Sequence, residues 1–467
     1  MHKSITAPIR GLRVRGRRIR SLPIRTVLAG VAVAGLIAGC TSTGSGSAQP
    51  TNAISPGASH APTTITVWSF NHLANEVAAF TSSLKRLHAK YPWLTVKFVS
   101  NKDDAAFAKA VAAGQPPDVF ISAAPDNVAK FCANGTVTDL GPYLKSAGVD
   151  VAKTFPAATR VYTTYQGKQC ALPLLTDAYA LYYNKKMFAA AGISRPPRTM
   201  SELTADAKKL TKRNADGSIK TFGFVPRSDY NGNAYLYTGV QSGTKFYGAN
   251  GKTTVASDPK WKQLLGWDKQ LIDWYGESNV QKFVGRYQPH ADDAGNPLLT
   301  GAAAMEFDGE WHVGEIASEK KDFDYGVAPM PVLDSVASTY GAGNTLGTVA
   351  YVPTGSKHRQ EAAFAVQQLT TDTQFLNKLA DTVYNIPSTF DALKSWDQAD
   401  DPHWKPMVDM FTNSGSYYKT LTPAGSEDVS TWETFLQQYE LGKVSDLDGG
   451  LASTAKKIDD LNEQAGQ

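Results

Sequence analysis

Long apolar stretches are nearly absent. The chain has 467 residues and is 42% hydrophobic, yet it holds one uncharged run of note, Thr26–Gly39. A spanning helix needs about 20 such residues, so a multispanning membrane protein is excluded. Charge is also sparse at 19%, and aromatics reach 10%, which excludes a disordered or coiled-coil chain. The basic surplus is confined to one end. Residues 1–25 carry Lys3 and seven arginines with no acid, so a chain of net charge +4 leaves a body of −4. Such a body lacks the basic stripe of a nucleic-acid binder. Catalytic signatures are missing as well: no Gly-x-Ser-x-Gly elbow, Walker loop, His-Glu-x-x-His or Cys-x-x-Cys occurs. The eight histidines are scattered without metal spacing. No cofactor and no metal are expected.

What is present begins with an export signal. A basic segment, the short apolar run and small residues lead to Leu36-Ile37-Ala38-Gly39-Cys40, which reads as a lipobox whose Cys40 takes a lipid and becomes the new N-terminus. An ordinary signal peptide with a chance cysteine is the bland alternative. Arg17-Arg18 hints at a twin-arginine route. Thr41–Thr64 is rich in Ser, Thr, Gly, Ala and Pro and holds almost no large apolar residue, so it reads as a flexible tether. The remaining cysteines, Cys132 and Cys170, suggest one disulfide in an exported chain. Two separate buried thiols are the alternative.

Beyond residue 64 strands and helices alternate. Ile65–Ser69, Leu94–Val99 and Pro117–Ser122 read as strands, with helices at Leu73–Lys90, Asp103–Ala113 and Asp126–Ala133. This βαβαβ order implies a parallel sheet with right-handed crossovers. Ligands of such sheets sit at the carboxyl ends of the strands, where Trp68, Phe70, Asn71, Ser122 and Asp126 stand. Later strands are expected at Ala178–Asn184, Ala302–Phe307, Phe323–Ala328 and Thr345–Val352. Helices are expected at Ser201–Leu210, Pro259–Tyr275, Glu310–Ser318 and Lys357–Leu369. From Pro387 on the chain reads as all helix.

Several phrases, in this order, carry a resemblance: ITVWSF at 65–70, PPDVFISAAPDNVAKF at 116–131, GKQCALPLLTDAYALYYNKKMF at 167–188 and AAAMEFDGEW at 302–311, then YGVAPMP at 325–331, VAYVPTGSKHRQEAAF at 349–364 and NIPSTFDAL at 385–393. Together with the lipobox, the chain resembles the extracellular solute-binding proteins of ATP-driven (ABC) sugar importers, the maltodextrin-binding-like family. The resemblance implies an α/β, two-lobed periplasmic-binding-protein-like fold with crossing hinge strands and a helical C-terminal region. Lobe one would span 64–176 and 330–385, and lobe two 179–327 and 387–467. It further implies a monomer on the extracellular face of the cell membrane, with a carbohydrate ligand, an oligosaccharide, and a membrane permease as partners.

A sugar has flat apolar faces and polar edges, so its site needs aromatic rings beside carboxylates and amides. Asp308-Gly309-Glu310-Trp311 supplies two acids and an indole at a strand-to-helix turn. The bland reading makes Asp308 a helix cap and Trp311 core. Family position favours ligand contact for Trp311 and one of the two acids, as for Trp68, Phe70 and Asn71. Asp177 and Tyr179 at the first crossing, and Tyr230 and Asn231 in an aromatic loop, are further candidates. Asn344 lies in a glycine-rich tract that either lends backbone amides to a ligand or is only a flexible connection. Trp404, Tyr417 and Tyr418 read as packing. No Lys/Arg cluster stands near Trp68, Ser122 or Asp308 in sequence, which counts against a phosphate ligand such as glycerol phosphate. A lipid-anchored glycan-active enzyme and a non-transport adhesin or scaffold are the alternatives from other classes. Acids two residues apart are poorly placed to flank a glycosidic bond.

Overall fold

The computed structural model describes residues 54, 60–228, 230, 239–287, 295–320 and 322–466. Cys40, Asn231 and most of the proposed tether Thr41–Thr64 lie outside them; within that span residues 54 and 60–64 are described, and the first strand already begins at Thr63.

The first sheet is built from the opening βαβαβ run. Strand β1 (Thr63–Ser69) buries Ile65, Val67 and Ser69 at every second position. Helix α1 (Ala74–Lys90) covers it with Phe80, Leu84 and Leu87, which share one helical face. Strand β2 (Leu94–Val99) runs parallel to β1 from Thr63 opposite Leu94, and β3 (Val119–Ser122) runs parallel on its other side, with Ser69 opposite Ile121. Between them α2 (Asp104–Ala112) is capped by the Asp103 carboxylate, which accepts from Ala106 N at 2.7 Å. Its Phe107 stacks on Phe120 at 4.3 Å. Helix α3 (Asn127–Ala133) follows β3. The Cys132 and Cys170 sulfurs are bonded, with Cα atoms 5.8 Å apart.

A long strand, β5 (Leu175–Asn184), carries the chain out of this sheet. It begins three residues earlier than its sequence pattern suggested. Its second half is the backbone of another sheet, ordered β9 (Tyr325–Ala328), β5, β8 (Ala303–Gly309), β7 (Ile219–Phe224) and β6 (Lys212–Arg213). The chain crosses between the sheets again on the first half of β5. There β10 (Thr345–Leu346) pairs with Ala178 and Asp177, and β12 (Ile386–Pro387) pairs with Thr176 and Leu175. Three backbone segments therefore meet at residues 175–178.

The expected single strand Thr345–Val352 is two. After β10, Gly347 turns the chain into β11 (Val349–Tyr351), which joins the first sheet between β3 and β4 (Leu172–Pro173). A Cβ at Gly347 would stand 2.2 Å from the Leu175 carbonyl oxygen, so only glycine permits this passage beside β5. Helices α6 (Arg359–Thr371) and α7 (Thr373–Val383) return to the first sheet, packing on β4 and α1.

The expectation of helix throughout from Pro387 is also corrected. Pro387 lies in β12, and residues 413–426, which contain Gly415, Pro423 and Gly425, hold no helix. Helix α8 (Lys405–Thr412) packs on β5 and β9. Helices α9 (Glu427–Glu440) and α10 (Leu447–Ala465) pack on each other, and α9 on α4 (Pro259–Tyr275) beside the second sheet. A buried Arg227–Glu440 ion pair at 3.3 Å ties α9 to the loop after β7. Among the described residues no helix is long and apolar enough to cross a membrane.

Candidate functional site

Strands β5 and β8 bring the acids and aromatics of the second sheet together. They run antiparallel, with Gly309 opposite Tyr179 and Asp308 opposite Ala180. Helix α5 (His312–Glu319) starts directly after the turn, with Trp311 at its N-cap position. Asp308 is therefore not the helix cap. Its Oδ1 accepts from Gly309 N at 2.7 Å. The Trp311 indole folds back over Gly309, where a Cβ would stand 2.3 Å from Cη2. The glycine thus makes room for the indole. The indole also meets the Tyr179 ring edge to face, 5.5 Å between centroids at 89°. Tyr179 is buried, and Trp311 is half-buried.

Glu310 turns inward. It is fully buried, and its Oε2 accepts from Ala178 N at 2.9 Å. Burial, and then the neighbouring Asp177 charge, push its carboxyl well above the ordinary range. Burial also raises Asp177, although hydrogen bonds with Asn385 and Glu310 act the other way. Asn385 Nδ2 donates to Asp177 Oδ1 at 2.7 Å. Glu310 Oε1 is buried without a hydrogen-bond partner. A proton held by one of the two carboxyls would relieve their mutual repulsion. This pair sits where the three crossing segments meet. Asn344, next to β10, is buried there too, and its Nδ2 has no hydrogen-bond acceptor among the described residues.

Below the turn, His312 is clamped by acids. Its Nδ1 is 2.7 Å from Glu315 Oε2 and 3.7 Å from Asp308 Oδ2, and its Nε2 is 2.8 Å from Glu306 Oε1. Burial alone would lower its pKa, but Glu306, Glu315 and Asp308 hold it well above the ordinary value. That direction favours the protonated ring. Tyr230 OH donates to Glu306 Oε2 at 3.1 Å, so this predicted site residue packs beneath the turn. Asp308, His312 and Glu315 place one ligand atom each within 4.8 Å of one another, a geometry able to hold a cation.

The first sheet contributes the ends of β1 and β3, side by side. Trp68 is half-buried, with Lys102 Nζ 5.0 Å from its ring centroid. Phe70 is half-buried. Asn71 Oδ1 accepts from Ser69 Oγ at 2.7 Å, and Ser122 Oγ donates to Asp104 Oδ2 at 2.8 Å. Asp126 is buried, and its Oδ1 accepts from Tyr418 OH at 2.7 Å and faces Lys419 Nζ at 3.0 Å. Lys419 also reaches Asp428 Oδ2 of α9 at 3.1 Å. Burial opposes the charge on Lys419, but the two aspartates more than offset it and raise its pKa.

Tyr418 and Lys419 are the residues sequence reasoning missed. Tyr418 is buried as expected, yet its hydroxyl engages a site acid. Lys102 stands by Trp68 and Lys419 by Asp126, each brought there by the fold from a distant position.

The model of the family described as bacterial extracellular solute-binding protein matches residues 73–374. The maltotriose-binding protein of Pyrococcus abyssi is 25% identical over 72% of this chain and 69% of its own. Among solved structures, the mannotriose-bound protein CpMnBP1 is 28% identical with a TM-score of 0.71, covering 85% of this chain and 99% of that one. The sugar-binding protein MalE of Xanthomonas citri, at 17% identity, shares the fold with a TM-score of 0.70 over 86% of this chain and 98% of its own. A family match across most of the folded part, with the two-sheet architecture of these structures, means that the chain belongs to the bacterial extracellular solute-binding proteins.

Proposed function

We propose that this chain is the receptor of an ATP-driven importer and captures a carbohydrate, an oligosaccharide, between two closing lobes. The observation that carries this reading is the turn Asp308–Trp311. It presents an indole, braced by Tyr179 and seated on Gly309, beside acids at the crossing of the two sheets. An indole face suits the C–H face of a sugar ring, and Asp308, Asn71 and Asn344 suit its hydroxyls. The relatives named for maltotriose and mannotriose support the ligand class.

Lobe one is taken as 64–176 with 330–385, and lobe two as 179–327 with 387–467. Closure is favoured by ligand because only the closed state contacts it from both sides. The closed form then docks, as a monomer, on a membrane permease. Cys40 is proposed to hold the protein by lipid on the outer face of the membrane. The site is proposed to bind without catalysis. Glu310 and Asp177 spend their carboxyls on each other, whereas hydrolysis needs two acids that flank a bond.

A thermal-shift screen against a glycan library that includes maltotriose and mannotriose tests the reading. At least one oligosaccharide should raise the melting temperature, because ligand stabilises the folded state by mass action. Silence across the library would argue for the scaffold alternative, and release of shortened sugars by pure protein for the enzyme.

A further inference from the structure

A groove of about 560 Å³ opens elsewhere, against α5, the edge strand β9, the end of α7 and residues 398–404. It uses none of the candidate site residues. Its walls are apolar and aromatic. Tyr384 follows α7 with a left-handed backbone, φ +52°, and stays 42% exposed. Its ring lies on α5 at Gly314, where a Cβ would stand 2.0 Å from Tyr384 Cγ. A tyrosine held in this conformation, on a helix notched to receive it, is an arrangement that backbone sterics disfavour unless the surroundings impose it. Phe323, Tyr325 and His403 form a ladder of stacked rings, with centroids 6.0 and 4.2 Å apart.

The charge lining this groove has one sign. Asp381 and Asp401 line it, and no Lys or Arg does. Each aspartate spends one oxygen: Asp381 Oδ1 accepts from Trp396 Nε1, and Asp401 Oδ1 from His403 N, both at 2.8 Å. Their Oδ2 atoms make no hydrogen bond among the described residues. The stretch 396–404 adds Asp397 and Asp400 without any Lys or Arg. Lys320 stands nearby, 5.3 Å over the Phe323 ring, and His403, which also lines the groove, has its Nδ1 3.2 Å from Asp401 Oδ1.

Ring faces carry negative potential and attract cations, most of all when carboxylates share the site. We propose that this groove binds a small organic ammonium ion, with its charged head against the exposed Tyr384 ring and the two aspartates and its carbon groups against Val313 and Ile316. A neutral molecule of the same shape would leave the carboxylates unanswered.

Calorimetry of the full chain with choline, and with its neutral isostere 3,3-dimethyl-1-butanol, tests this. Choline should bind one per chain, with the isostere at least about tenfold weaker, equivalent to one 1.4 kcal/mol step. Tyr384→Gly suits the left-handed backbone and removes only the ring. The double variant Asp381→Asn, Asp401→Asn keeps the shape and removes the charge. Each should weaken choline by about tenfold or more, while Trp311→Ala leaves it unchanged. Equal affinity for the isostere, choline binding that survives both variants, loss of binding in Trp311→Ala, or no heat at millimolar choline would each overturn the proposal.

Discussion

Lys419 Nζ lies 3.0 Å from Asp126 Oδ1, in a setting where both side chains are buried. Asp126 stands at the N-cap of α3, just after β3. Lys419 is tied on its other side to Asp428, which also accepts from Tyr247 OH and Thr422 Oγ1. Lys130 and Glu427 add an exposed pair at 3.1 Å on the same face. One buried cation therefore joins the sheet that carries Trp68 to the helices packed beside the sheet that carries Trp311.

Lys419→Met should be costly, because it strands two buried carboxylates. Breaking a buried pair by removing one partner costs about 3–5 kcal/mol. Adding Asp126→Asn to that variant should recover part of the loss. Urea unfolding of the single and double variants measures both. A loss no larger than that of an exposed pair would show that Lys419 does not bridge these acids in solution.

Stability should fall as pH rises through the neutral range. His312 has a folded-state pKa above its ordinary value, so its contribution is complete below about pH 6.5 and is lost as pH climbs through the folded value. The raised Asp177 and Glu310 carboxyls tilt the same way, starting above about pH 4.3. His312→Gln should flatten the melting-temperature profile above about pH 6.5 and leave the lower part tilted. An identical slope in that variant would contradict the imidazolium assignment.

The Cys132–Cys170 bridge closes a separation of 38 residues. Its removal by Cys132→Ser with Cys170→Ser should cost about 2–5 kcal/mol. Thiol labelling of denatured, unreduced protein gives an independent reading: two reactive thiols beyond Cys40 would mean the bridge does not form in the exported protein.

Cys40→Ala should free the protein from the membrane fraction or leave its leader uncut. Retention at the wild-type level would rule out lipid attachment at this residue.

Much of the architecture was legible because it rests on local periodicity. The short β run at 65–69, the apolar face of 73–90 and the helical stretch 103–113 each announce their element, although the bounds shift by one or two residues. So does the strand-to-helix turn at 308–311, since a buried strand running into Gly and Trp leaves few other solutions. The hinge was less legible. Splitting Thr345–Val352 depends on Gly347 passing the Leu175 carbonyl, a contact between segments far apart in the chain. The lysine beside Asp126 was hidden for the same reason, since Lys419 arrives from an irregular segment with no pattern of its own. The role of Glu310 also needed the fold. The sequence left open which of Asp308 and Glu310 would face a ligand, and the structure turns Glu310 toward Asp177.

Calorimetry on the best oligosaccharide from the screen, with wild-type protein and Trp311→Ala at two salt concentrations, tests the central claim most directly. Capture of a neutral sugar on the indole predicts a loss of about 1–3 kcal/mol in Trp311→Ala, with wild-type affinity nearly independent of salt. Unchanged affinity in Trp311→Ala, with Trp68→Ala also silent, would contradict the placement of the sugar at this turn.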